Sequence, residues 1–185
     1  MKGITYPQQQ IPAVLDGSLT VTRRLVKPQI WYQETHEGGS YWDIMPRYYP
    51  GETVYVQETF AHCPVDFNDT KGIIYKADKK YNDYVCTFEW RSPVTMPEWA
   101  SRQKQRVVSV RCERLQEITE EDAKCEGAEC VIWHGNTAMR HQKQMPIATY
   151  RAGCANLWDK RYPKHPWDSN PWCFVYSMEN IKEKP

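Results

Sequence analysis

The sequence predicts an α+β fold, a small twisted sheet or barrel capped by short helices. Three observations carry this. About six short stretches are β-branched or alternate in polarity between turn residues. Two or three others carry helix start and stop signals. No long linker, repeat or low-complexity run interrupts the chain, so a single domain over 1–185 is expected, with inserted loops at about 30–49 and 133–150.

The elements follow in order. Residues 8–16 read as a short helix with Ile11, Val14 and Leu15 on one face; Pro12 falls in its first turn and Gly17 stops it. Residues 20–26 alternate as a strand, which puts Thr20, Thr22 and Arg24 on one face and Val21, Arg23 and Leu25 on the other. Residues 30–49 are aromatic and irregular. After the turn at Pro50 and Gly51, residues 53–60 read as a strand in which Glu58 shares a face with Val54, Val56 and Phe60. An acid on an apolar face needs a partner or a purpose. Short strands are expected at 72–77 and 84–89, and a helical turn within 96–102. The stretch 106–115 reads as a strand with Val108, Val110 and Cys112 on one face. Thr119 followed by Glu120, Glu121 and Asp122 announces a helix that Gly127 ends. Residues 151–160 are weakly helical, and 172–178 form a last strand.

Composition excludes several classes. Hydrophobic residues make up 41% of the chain, enough for a core and too much for disorder. Lys plus Arg number 24 against 23 Asp plus Glu, so any nucleic-acid contact must come from a local patch. No apolar run approaches a membrane span, and the first ten residues lack the apolar core of a signal peptide, so a soluble cytoplasmic protein is expected. The seven cysteines form no CxxC pair. Cys125, Cys130, His134 and His141 match no common zinc spacing, so neither a metal nor a cofactor is expected. Walker, nucleophile-elbow, HExxH and GxGxxG motifs are missing from the sequence, which argues against those enzyme classes.

Two places stand out chemically. Glu126 falls at a helix C-terminus, where the dipole disfavours a carboxylate, and such an acid can have the raised pKa of a general base. The clusters Arg23, Arg24, Lys27 and Arg102, Lys104, Arg106 could meet phosphate, and the aromatic-rich loops could stack on bases.

The run Leu15-Asp16-Gly17-Ser18-Leu19-Thr20-Val21-Thr22-Arg23-Arg24 resembles the opening motif of ASCH domains of the PUA-like superfamily, in particular the longer ASCH proteins of bacteriophage and prophage genomes. The resemblance continues through Val56-Gln57-Glu58-Thr59-Phe60, Met96-Pro97-Glu98-Trp99-Ala100-Ser101-Arg102, 115–123 with Glu126-Gly127, Leu157-Trp158-Asp159 and 167–172. It implies a PUA-like mixed β-barrel with flanking short helices and long irregular loops, and a cleft for RNA or nucleotides. Some small ASCH proteins deacetylate acetylcytidine with a Lys, a Thr and a Glu, and another is reported as a ribonuclease. Carried over, Thr22 takes the Thr position and Glu126 the Glu position, as catalytic candidates. The Lys position is Leu19, which cannot donate a proton or stabilise an oxyanion, so binding is favoured over catalysis.

The expected partner is therefore RNA, single-stranded nucleic acid or a modified nucleoside. Thr20, Thr22, Arg23, Arg24, Glu58, Trp99 and Arg102 are its candidate contacts. The alternatives are a hydrolase or nuclease acting on modified nucleosides or RNA, and a phage protein that binds a host protein.

Overall fold

The computed structural model describes residues 1–27, 45–62, 72–78, 88–132 and 148–181. The chain divides into two compact units. One comprises Met1–Ser18, Pro50–Val108 and Met178–Pro185; the other comprises Leu19–Tyr49 and Ser109–Ser177. Helices and strands are mixed, as an α+β chain requires. The main sheet contains β1 (Lys2–Thr5), β2 (Val21–Leu25), β3 (Thr53–Gln57), β6 (Lys104–Arg114) and β9 (Trp172–Ile181), in the order β1-β3-β6-β9-β2. Closure into a barrel would require the two end strands to pair. Among the described residues β1 and β2 are the ends of the order, so the sheet is open and the expected barrel is corrected to an open sheet. Among the described residues, no helix is long and apolar enough to cross a membrane.

In the first unit β1 runs parallel to β3, with Ile4 opposite Val56, and β3 runs antiparallel to β6, with Tyr55 opposite Lys104. Ile4, Val54, Val56 and Val107 are buried together with Ile11 and Val14 of α1 (Ile11–Asp16). Gly17 ends α1 with φ 83°, a conformation that favours glycine. The buried residues of β6 in this unit are Gln105 and Val107, while Val108 is 53% exposed. Val108 therefore stands on the face away from Gln105 and Val107, as the alternation of the strand requires. Gln105 is satisfied internally: Tyr6 Oη donates to its Oε1 at 2.8 Å, and its Nε2 donates to Asn180 Oδ1 at 3.0 Å.

The strand expected over 53–60 breaks after Gln57. Glu58 N–H points to Met96 Sδ at 3.3 Å, and pairing resumes in β4 (Phe60–His62), antiparallel to β5 (Ile73–Tyr75). Phe60, Ile73, Met96 and Ala100 form a separate small core. Met96 and Ala100 anchor the short 3₁₀ turns Pro93–Thr95 and Glu98–Ala100.

In the second unit β2 pairs antiparallel with β9, with Leu25 opposite Cys173. Val21, Leu25, Cys173 and Val175 pack with Leu115, Ile118, Ala123, Ala155, Trp158 and Trp167. The helix α2 (Glu120–Cys125) starts as expected, its Thr119 Oγ1 accepting from Asp122 N at 3.0 Å. The longer helix α3 (Tyr150–Arg161) is capped by Thr149 Oγ1, which accepts from Ala152 N at 3.1 Å. The Glu120 carboxylate adds a second cap, accepting from Tyr150 N at 2.8 Å. α3 approaches the backbone closely at Gly153, where a Cβ would lie 2.0 Å from the Glu129 carbonyl oxygen. The pairs β7 (Val131–Ile132) and β8 (Ala148–Thr149), like β1, were not expected from the sequence. The loop residues 28–44 and 133–147, most of the strand expected at 84–89, and the zinc candidates His134 and His141 lie outside the described residues.

Candidate functional site

The candidate site of the second unit begins with a tether. Thr20 N–H donates to the Cys125 carbonyl at 3.0 Å, which holds the start of β2 against the end of α2 and brings Glu126 beside the strand. Alternation along β2 then sends Thr22 and Arg24 to one face and Arg23 to the other. Arg23 emerges among Val21 and Leu25 on the core side, and its side chain is 1% exposed.

A buried guanidinium requires anions, and three meet it. Arg23 Nη1 donates to Glu126, while its Nη2 donates to Glu113 at 2.5 Å and to Asp122 at 2.9 Å. Arg111 closes the network, donating to Glu113 at 2.9 Å and Asp122 at 2.6 Å. Arg23 Nε is left buried without an acceptor. The carboxylates outnumber these two guanidinium groups by one. Glu126, whose side chain is 12% exposed, is pushed up from the usual 4.5 to about 7. Burial is the main cause and the charge of Asp122 adds to it, while Arg23 and, more weakly, Arg24 pull the other way. The same carboxylates hold Arg23 protonated well beyond its ordinary range, against the opposing effect of its burial. The sequence rationale for Glu126 was the helix dipole. In the structure the causes are desolvation and a neighbouring carboxylate.

The opposite face of β2 is polar and aromatic. Thr22, which is buried, sits opposite Tyr176, and Arg24 sits opposite Phe174. Tyr176 packs edge-on against Tyr48 at 5.5 Å and lies 6.3 Å from Phe174. Its hydroxyl accepts from Arg47 N at 3.2 Å. Arg47 lies 5.5 Å from the Tyr48 ring centroid. Glu126 bonds Arg23, on the other face of β2 from Thr22 and Arg24, and Arg24 acts on it only through its charge, as the weakest influence. Thr20 is exposed at its edge. Leu19 is 1% exposed and belongs to the core.

The remaining candidates, Glu58, Trp99 and Arg102, belong to the first unit. Arg102 is a clamp. Its Nε and Nη2 donate to the two oxygens of Glu58 at 2.8 and 2.9 Å, and its Nη1 donates to both oxygens of Asp78 at 2.8 and 3.0 Å. It also stacks over Tyr75 at 4.1 Å. The inward acid Glu58 therefore has its partner, and burial still raises its pKa. A guanidinium spent on two carboxylates has one N–H left for a ligand, so Arg102 reads as structural, and burial removes Arg23 from phosphate contact in the same way. Trp99, by contrast, is 63% exposed.

Sequence reasoning missed Glu113, Asp122 and Arg111 as members of the Arg23 network, and Tyr176 and Phe174 as neighbours of Thr22 and Arg24. The last two were recoverable from the alternation of residues 172–178. Among the described residues no group of three or more His, Cys, Asp or Glu is arranged to hold a metal ion. Comparison with protein-family models, curated proteins and solved structures finds no match to this chain.

Proposed function

We propose that this chain is an ASCH-like nucleotide- or nucleic-acid-binding protein. In this reading the edge of β2 beside α2, where the Glu126 side and the Thr22 and Arg24 side of the strand meet, holds a nucleotide or a modified base. The observation that carries the proposal is Glu126: a nearly buried carboxyl, bonded to the Arg23 guanidinium that also holds Glu113 and Asp122, with its pKa pushed by burial up to about 7. A carboxyl on that boundary donates a hydrogen bond when protonated and accepts one when ionised, which suits the edge of a base or a modified exocyclic amide. Thr22 supplies a hydroxyl, Arg24 a cation for phosphate, and Phe174 and Tyr176 aromatic surface. The order of motifs from Gly17 to Trp172 supports the family assignment.

Calorimetric titration of the chain with ordinary and modified nucleosides and nucleotides tests this. At least one should bind, with an affinity that changes between pH 6 and 8, about the value given for Glu126; Glu126→Gln should remove that pH dependence and Thr22→Val should weaken binding. A panel without binding, or binding indifferent to both substitutions, overturns the proposal. Hydrolysis of an acylated or modified nucleoside is a second reading, favoured by a general base poised near neutrality. The buried Leu19 weighs against it, because no amine stands where the hydrolases have one.

A further inference from the structure

Trp99 is placed unlike the other described tryptophans. Its turn is pinned on both sides: Met96 and Ala100 are buried, and Gln57 Nε2 donates to the carbonyls of Val94 at 3.3 Å and Met96 at 3.2 Å. Tyr55 Oη donates to the Met96 carbonyl as well, at 3.3 Å. A strongly anchored backbone thus presents an indole that is 63% exposed. The indole lines a cleft of about 570 Å³ with Glu98, Gln103, Lys104 and Ile181, a volume suited to a small ligand.

Charge follows the same direction. Along β6, Lys104 and Arg106 alternate with the buried Gln105 and Val107, so both cations leave on the outer face, about 6.7 Å apart at two residues of strand rise. Glu98, the acid in the cleft lining, lies 3.0 Å from the Met1 nitrogen. The acids Glu58 and Asp78 are held by Arg102. An exposed aromatic face that shares a cleft with Lys104, with Arg106 two residues further along the same strand, is an arrangement that suits single strands, in which an unstacked base covers the ring and cations follow the phosphates.

The geometry points to a second site: the Trp99 cleft binds single-stranded nucleic acid, with a base stacked on Trp99 and phosphates met by Lys104 and Arg106. The site lies wholly within the first unit and does not depend on the Glu126 reading. A duplex does not suit it, because its bases are already stacked.

The test is fluorescence anisotropy with labelled oligouridylate and oligothymidylate decamers, whose two arms separate RNA from DNA. Binding by the wild-type chain should weaken between about five- and 150-fold on Trp99→Ala and survive largely in Trp99→Phe, which keeps a stacking ring. Lys104→Gln and Arg106→Gln should each flatten the salt dependence by about 0.7 in log–log slope. Trp99→Ala should leave the melting temperature nearly unchanged, since the ring is mostly in water. A wild-type chain that binds mononucleotides but neither decamer overturns this site and leaves the Glu126 proposal standing. Decamer binding that depends on Trp99, with no mononucleotide bound, does the reverse. Decamer binding indifferent to Trp99→Ala, or a turn that binds only peptides, also overturns it.

Discussion

Glu126→Gln should make the protein more stable at pH 8 and change little at pH 4. The carboxyl is displaced from 4.5 to about 7 by folding. At 1.36 kcal/mol per pH unit, the ionised form costs the folded state about 3 kcal/mol relative to the protonated form. The sign follows from proton counts. Between pH 4.5 and 7 the folded chain holds the Glu126 proton and the unfolded chain has lost it, so stability is greatest below 4.5 and declines as pH rises toward 7. Glutamine keeps the shape and the acceptor oxygen that faces Arg23 but carries no charge. It should abolish the decline and leave the variant up to about 3 kcal/mol more stable than wild type above pH 7.5. Urea denaturation of both proteins from pH 4 to 8 measures this directly. Parallel stability curves would refute the reasoning, as would a variant less stable at pH 8, because either result means that the ionised carboxylate is a net stabiliser through Arg23.

Two further outcomes test the framework. Arg102→Lys keeps the charge but loses the paired geometry on Glu58 and the second bond to Asp78; with Glu58 2% exposed, urea denaturation should show a loss of about 2–4 kcal/mol. Gly153→Ala drives a methyl to 2.0 Å from the Glu129 carbonyl oxygen, so α3 must shift; a loss of about 3 kcal/mol or more and a lower melting temperature are expected, whereas Gly51→Ala, with open space around it, should show only the cost of its φ of 87°.

What was legible in the sequence was local. Thr119 as a helix cap and Gly17 as a helix stop follow from backbone chemistry within a few residues, and the structure keeps both. The two faces of β2 follow from its period, including Arg23 on the side of Val21 and Leu25. The inward Glu58 correctly demanded a partner, although nothing nearby in the chain named Arg102, which lies 44 residues away. The period of β6 groups Val108, Val110 and Cys112 on one face but does not say which face is buried, because the buried side carries Gln105, polar yet fully enclosed. β1 went unseen because the run Lys2–Thr5 offers one buried side chain, Ile4, and is set by pairing with β3. The Arg23 network was illegible for the same reason as Arg102: its carboxylates are 90 to 103 residues from Arg23, and ion pairs leave no periodic trace. Glu126 was singled out for a helix-dipole reason that the structure replaces with burial.

The most direct measurement is a carbon-13 NMR titration of the glutamate side-chain carboxyls, with Glu126 assigned by comparison with Glu126→Gln, carried out with and without a saturating nucleotide found in the calorimetric panel. The account predicts a Glu126 midpoint near 7 in the free protein and a displaced midpoint in the complex. A midpoint in the ordinary carboxylate range, unmoved by ligand, contradicts it.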